Sequence, residues 1–393
     1  MLRNNNEGLR PPKGDYRHYS SKAYFTHLPN QTQFQQGYLG VQPSKVCGIF
    51  HLRYSDDNPL KVEEIELIFK GKVSVKWPQK TEAGTSVTLR GINKFVRLTK
   101  QLWSSPTQGN FESITKLDLP FEFGIPEVSP TSIPFIEAEL STVGKINYSI
   151  KARIHRKSMI KKSSNKIVEL WININRYILL PPIQNYEILP MIKKSEMIEC
   201  QATLNQTIFD INSGIINVPI KFTLFDMRTI VKKVVIKLKQ YTRLKIDNLA
   251  KINSNYIARH EVYGNQILVN PDSPNEFLIK MQIDLSKCDR FNGFGRVGYK
   301  VGPFGLLRCG CNTHFIDIYH KIKVVINLGK ASVSCVNFEK EITIRNLVPP
   351  NDDNINFELE RRIEGNIQYR AQNQWDYEID EISGDELPEY LSN

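Results

Sequence analysis

The sequence predicts an all-β protein made of two consecutive antiparallel β-sandwiches, and three observations predict it. Apolar and polar residues alternate in one segment after another, as the side chains of half-buried strands must. No stretch carries a sustained helical period with a capping residue at its start. A double proline, Pro181-Pro182, divides the strand-rich part of this 393-residue chain into halves of similar size. Each half is long enough to bury a core of its own.

Taken in order, residues 1–37 combine Asn, Gln, Pro and Gly with scattered aromatics, and are expected to form a disordered basic and polar arm. A first sandwich is expected over 38–180. Within it Ile65, Leu67 and Phe69 alternate with Glu64 and Glu66. After Gly71, Val73, Val75 and Trp77 alternate with Lys72, Ser74 and Lys76, which reads as a long bent strand or a tight turn. Gly144–Ile154 and Lys166–Ile174 read as a hairpin with a basic tip, Arg156, Lys157, Lys161 and Lys162. Neither proline of Leu180-Pro181-Pro182-Ile183 can donate to a sheet ladder, so a linker is expected there. The second sandwich, 181–348, follows with strands at Ile215–Leu224, Ile230–Tyr241, Tyr256–Val269, Glu276–Leu285, Phe315–Leu328 and Ala331–Ile344. Val234, Ile236 and Leu238 alternate with Lys233, Lys237 and Lys239, giving a buried face and a lysine stripe. A flexible acidic tail, 349–393, closes the chain.

The net charge of +11 conceals an asymmetry. From Asn351 onward there are 12 acidic residues and 3 arginines, a net of −9, so the preceding residues carry 49 basic and 29 acidic residues, a net of +20. Such a body attracts polyanions, and an acidic tail could fold back on it. The six cysteines are scattered, which fits a reducing compartment better than a disulfide scaffold. No apolar run is long enough to span a bilayer, and Met1–Gly14 holds no apolar signal core. A cytosolic or nuclear protein is therefore expected, and the family resemblance given below narrows this to a cytoplasmic one.

Enzymatic patterns fail on their context. Gly293-Phe-Gly295-Arg-Val-Gly298 matches the dinucleotide fingerprint, but Gly302, Pro303 and Gly305 follow at once and no helix can begin there to face a pyrophosphate. Cys309, Cys311 and His314, with Cys288 upstream, do not have the spacing of a structural zinc site. There is no GxSxG elbow, HExxH or P-loop. The expectation is no enzyme, no catalytic residue, no cofactor and no metal.

Binding features are of two kinds. Leu387-Pro388-Glu389-Tyr390 resembles the proline–tyrosine ligand of WW domains, with Leu387 where the preferred ligand has a first proline. Leu387, Pro388 and Tyr390 are the candidate contacts. Arg156, Lys157, Lys161 and Lys162, together with Lys233, Lys237 and Lys239, are candidates for phosphate or headgroup contact; solvated surface is their plainer alternative.

The ordering of these features resembles the arrestin family, in particular its α-arrestin or arrestin-related trafficking adaptor branch. Ile65–Trp77 is similar to the early strand pair of arrestin N-domains. Leu119-Pro-Phe-Glu-Phe123, Pro126, Ser132-Ile-Pro-Phe135 and Ile146–Ala152 look like the run that follows it. Ile215–Ile220 with Val234–Gln240 resembles the opening of the C-domain, and Tyr319–Ile326 its late strand. The resemblance covers about 38–346 and implies two tandem immunoglobulin-like arrestin sandwiches without catalysis. It implies an adaptor that links membrane-protein cargo to a WW-domain HECT ubiquitin ligase for endocytosis, working at the plasma membrane or endosome. The alternative is a signalling or sorting scaffold that binds phosphorylated tails or anionic lipid without recruiting a ligase. Cytoplasmic tails of membrane proteins and an anionic membrane surface are the partners this implies, and nucleic acid is not expected.

Overall fold

A computed structural model describes residues 9–348 apart from 83, 107–109, 138–141, 157–163, 180–190, 195–196, 227, 268, 271–272, 290–305 and 330–334. Strands dominate, and the helical turns among the described residues are short 3-10 ones. The first group is β1 (Tyr16–His18), β2 (Ala23–Thr26), β3 (Gln35–Gln36), β4 (Ser44–Arg53), β5 (Leu60–Lys80) and β6 (Ser86–Ser104). It continues through β7 (Glu112–Ile114), β8 (Lys116–Ile125), β9 (Ile133–Glu137), β10 (Val143–Arg156) and β11 (Ser164–Ile172). The second group begins with β12 (Tyr177–Ile178), β13 (Met191–Lys194), β14 (Ile198–Ala202), β15 (Ile208–Asp210), β16 (Ile215–Leu224) and β17 (Ile230–Ile246). It ends with β18 (Leu249–Tyr263), β19 (Val269–Asn270), β20 (Ser273–Asp284), β21 (Cys311–Asn312), β22 (Ile316–Gly329) and β23 (Cys335–Leu347).

Two sheets enclose the first core. One runs β1-β11-β10-β5-β6, with β7 and β9 on its flanks; the other runs β2-β4-β3 with β8 beside β4. Their inner faces meet through Phe69 and Tyr148 from one side and Phe25, Phe50 and Phe121 from the other. A second pair, β12-β23-β22-β17-β18 and β13-β14-β16-β20-β19, encloses the second core, where Val234, Ile236 and Ile322 oppose Ile216, Val218 and Phe222. Each fully buried side chain of this size contributes roughly 1.5–3 kcal/mol, so the alternation read from the sequence is the main source of stability. The result is an all-β fold of stacked, mainly antiparallel sheets.

Two strands belong to both cores. Val234, Ile236 and Leu238 of β17 lie in the second, whereas Leu244 and Ile246 lie in the first. β22 does the same, with Ile322 and Val324 in the second core and Ile316 and Ile318 in the first. At that junction Phe315 packs on Gly91 of β6, where an added Cβ would come within 2.7 Å of the ring.

β5 is a single long strand, and the bend read at Gly71 is a register shift against β6 between Gly71 and Val73. A Cβ at Gly71 would meet the Phe95 and Tyr148 rings at 2.7 and 2.9 Å, so this glycine lets two aromatics close over the strand. The hairpin at Gly144–Ile174 is present as β10 and β11, paired from Tyr148↔Ile172 to Arg156↔Ser164. The linker Leu180–Ile183 lies outside the described residues.

The disordered arm expected over 1–37 is corrected for the described part, which begins at residue 9. β1 pairs with β11, β2 with β4, and β3 with β4. Ala23, Phe25 and Phe34 are buried in the first core, and the Tyr16 hydroxyl receives the Phe25 N–H at 3.0 Å. These strands are too short to show a period, and aromatic burial rather than alternation holds them.

Candidate functional site

The lysine stripe stands on the outer face of the second sandwich. Ile236 and Leu238 of β17 and Ile322 and Val324 of β22 are fully buried, so the residues between them face out. Antiparallel register sets Lys237 opposite Lys323, Lys239 opposite Lys321 and Tyr241 opposite Tyr319. Like charges directly opposite one another repel, and tyrosine rings offset this. The Tyr241 and Tyr319 rings are stacked 4.9 Å apart at 3°. Lys239 lies 5.1 Å from the Tyr241 centroid and 5.4 Å from that of Tyr256, and Lys237 lies 5.0 Å from Tyr256. Lys321 lies 5.4 Å from Tyr241. A hydrogen bond with Tyr241 pushes the Lys239 ammonium above its ordinary pKa, so it stays charged.

Not all the predicted lysines are equivalent. Lys233 is drawn to Glu261 at 3.6 Å, and Lys323 to Glu339 at 3.4 Å. Among the described residues no carboxylate stands within ion-pair distance of Lys237, Lys239 or Lys321. The sequence reading missed Lys321, Tyr241, Tyr256 and Tyr319. The alternation Tyr319-His-Lys321-Ile-Lys323 was a usable signal, but placing it beside β17 needed the strand register. Arg156 ends β10 on the other sandwich, half-buried, with its Nε buried and without a hydrogen-bond partner among the described residues. It is not brought together with Lys233, Lys237 and Lys239. Lys157, Lys161 and Lys162, and Leu387, Pro388 and Tyr390, lie outside the described residues, as do Gly293–Gly298.

A second cationic cluster was not anticipated. On the outer face of the first sandwich, Arg17, Lys70, Lys72, Lys94 and Arg97 line a cavity of about 180 Å³ that also contains Glu169. Glu169 is only 3% exposed; it accepts a hydrogen bond from Ser149 at 2.9 Å and pairs with Arg17 at 3.5 Å. Burial lowers the pKa of Lys70; Glu169 opposes this, and Lys151, Arg97 and Arg17 add to it.

A Thr-His-Asp arrangement joins β2, β4 and β8. Thr26 Oγ1 sits 2.8 Å from His51 Nε2, and His51 Nδ1 sits 2.5 Å from Asp118. Burial raises the Asp118 pKa, but the hydrogen bonds from His51 and Arg53 outweigh it and hold the carboxyl below its usual range. Thr26 is 2% exposed and the Tyr24 ring stacks on His51 at 5.0 Å, so the hydroxyl cannot meet a substrate. The network ties three strands together. Cys311 is buried, and burial pushes its thiol up to about 12. Among the described residues no three His, Cys, Asp or Glu side chains are grouped to hold a metal.

Residues 45–175 match the family profile described as arrestin (or S-antigen), N-terminal domain. This segment is an arrestin N-terminal domain. It runs from β4 through β11 and so supplies most of both sheets around the first core. No curated protein was found to match the chain. An arrestin N-domain supports a trafficking or sorting scaffold of the arrestin type. No helix among the described residues is long and apolar enough to cross a membrane.

Proposed function

We propose that the chain is a non-enzymatic sorting scaffold of the α-arrestin branch that holds phosphorylated cytoplasmic tails of membrane proteins on the outer face of its second sandwich. It would work in the cytoplasm, peripherally at the plasma membrane or endosome. The observation that carries this reading is the set Lys237, Lys239 and Lys321, held by tyrosine rings, with no carboxylate within ion-pair distance among the described residues although Glu341 stands opposite Lys321 in the sheet. Phosphate carries close to two charges and three acceptor oxygens, which suits three converging ammonium groups. The test is a titration with a phosphorylated peptide and its unphosphorylated form, against the native chain and the double variant Lys237→Glu, Lys321→Glu. The expected result is phosphate-dependent binding that the variant weakens by at least about tenfold. Equal affinity for both peptides would sink the reading. Binding to anionic vesicles alone would replace it with a lipid-surface role.

A second reading adds the ligase. Leu387-Pro388-Glu389-Tyr390 stands in a segment of net −9 and supports recruitment of a WW-domain HECT ubiquitin ligase, making the scaffold an endocytic adaptor. A WW-domain panel titrated with peptide 379–393 should show micromolar binding that Tyr390→Ala removes. Capture that ignores the tyrosine would leave the scaffold without direct ligase contact.

A further inference from the structure

β6 is a terminal strand of its sheet and, among the described residues, pairs only with β5. It is 19 residues long, so one whole side of its backbone donors and acceptors has no strand partner. Its pairing with β5 is regular from Val96↔Gly71 to Gln101↔Glu66, between two register shifts. This stretch is as long as a typical added strand. Arg97, Leu98, Thr99, Lys100 and Gln101 are all exposed.

The charges decide what can pair there. Ser86–Ser104 contains Arg90, Lys94, Arg97 and Lys100 and no carboxylate. A second copy laid antiparallel would set cation against cation, which is how natural edges avoid self-association. Beside Arg97 in the sheet stands Lys70, and Lys72 and Arg17 continue the positive field around the same cavity. The other long edge, β18, lacks this bias: its Glu261 is hydrogen-bonded to Arg259 and pairs with Lys233.

We propose that the outer edge of β6 around Val96–Gln101 accepts an extended acidic peptide as an added strand. Backbone hydrogen bonds would supply the affinity, and carboxylates on the face of Arg97 the choice of partner. This edge lies on the first sandwich and does not depend on the phosphate-binding reading of the second.

The test uses the full chain and a labelled decapeptide alternating glutamate with valine, followed by fluorescence anisotropy. Two further peptides carry N-methyl groups on alternate amides, one on each set. An added strand bonds through only one of these sets, so one methylated peptide should lose about tenfold or more in affinity while its counterpart stays close to the parent. Arg97→Glu should weaken the parent peptide by a similar factor, and Lys237→Glu should leave it unchanged. Equal binding of the two methylated peptides, equal binding of a lysine-for-glutamate peptide, or no binding would overturn the proposal. So would a dimer, seen by sedimentation, that Arg97→Glu dissolves, because it would assign the edge to a second copy.

Discussion

The two sandwiches present lysines on their outer faces and keep them there by different means. On the first, Lys70 and its neighbours surround Glu169, a carboxylate 3% exposed and hydrogen-bonded by Ser149. On the second, Lys237, Lys239 and Lys321 lie against Tyr241 and Tyr256 with no carboxylate among the described residues within ion-pair distance. A buried anion compensates charge internally and ties the cations to the fold. Aromatic faces compensate weakly and leave the charge on offer to a ligand. The second arrangement is the better one for a surface that must bind and release.

The largest effect that can break this comparison lies beneath the tyrosine face. His320, on the inner side of β22, has its pKa pushed down to about 3 by burial, with Arg345 adding to the shift. An unfolded chain takes up that proton near pH 6.5 and the folded chain refuses it. Stability is therefore whole above pH 6.5 and falls by about 1.4 kcal/mol per pH unit as pH drops toward 3. Chemical denaturation across this range should show that slope, and His320→Gln should flatten it. An unchanged slope would place the acid sensitivity elsewhere.

Next in size is the first face. Glu169→Ala should cost about 2 kcal/mol, less than a fully buried pair because Arg17 is half exposed, and Glu169→Gln should recover part of this by keeping the Ser149 hydrogen bond. Urea unfolding measures both. If removing Glu169 costs nothing, the contrast between the two faces is lost. The smallest effect is expected at the second face, where Tyr241→Leu should cost about 1 kcal/mol or less. The same substitution should weaken phosphopeptide binding more than it weakens the fold, because Lys239 and Lys321 lose their common support.

Much of this was legible from residue order. β16 has the bounds that alternation gave it, and the stripe on β17 follows from Val234, Ile236 and Leu238 being buried. What escaped depends on pairing between distant strands. Glu169 alternates with Val168 and Leu170 as a solvated residue would, and its burial comes from Ser149 and Arg17 arriving on β10 and β1. β1, β2 and β3 are three, four and two residues long, too short for any period to speak. Lys321 becomes a site residue only through its register with Lys239.

The sharing of β17 and β22 between two cores bears on how the chain is made. Leu244, Ile246, Ile316 and Ile318 complete the first core but lie far beyond β11 in sequence. A ribosome adding about 5–20 residues per second brings Ile318 out roughly 7–30 seconds after the last strand of the first group. Throughout that interval the nascent first sandwich carries an uncovered apolar wall, a surface of the kind that makes newborn chains prone to aggregate.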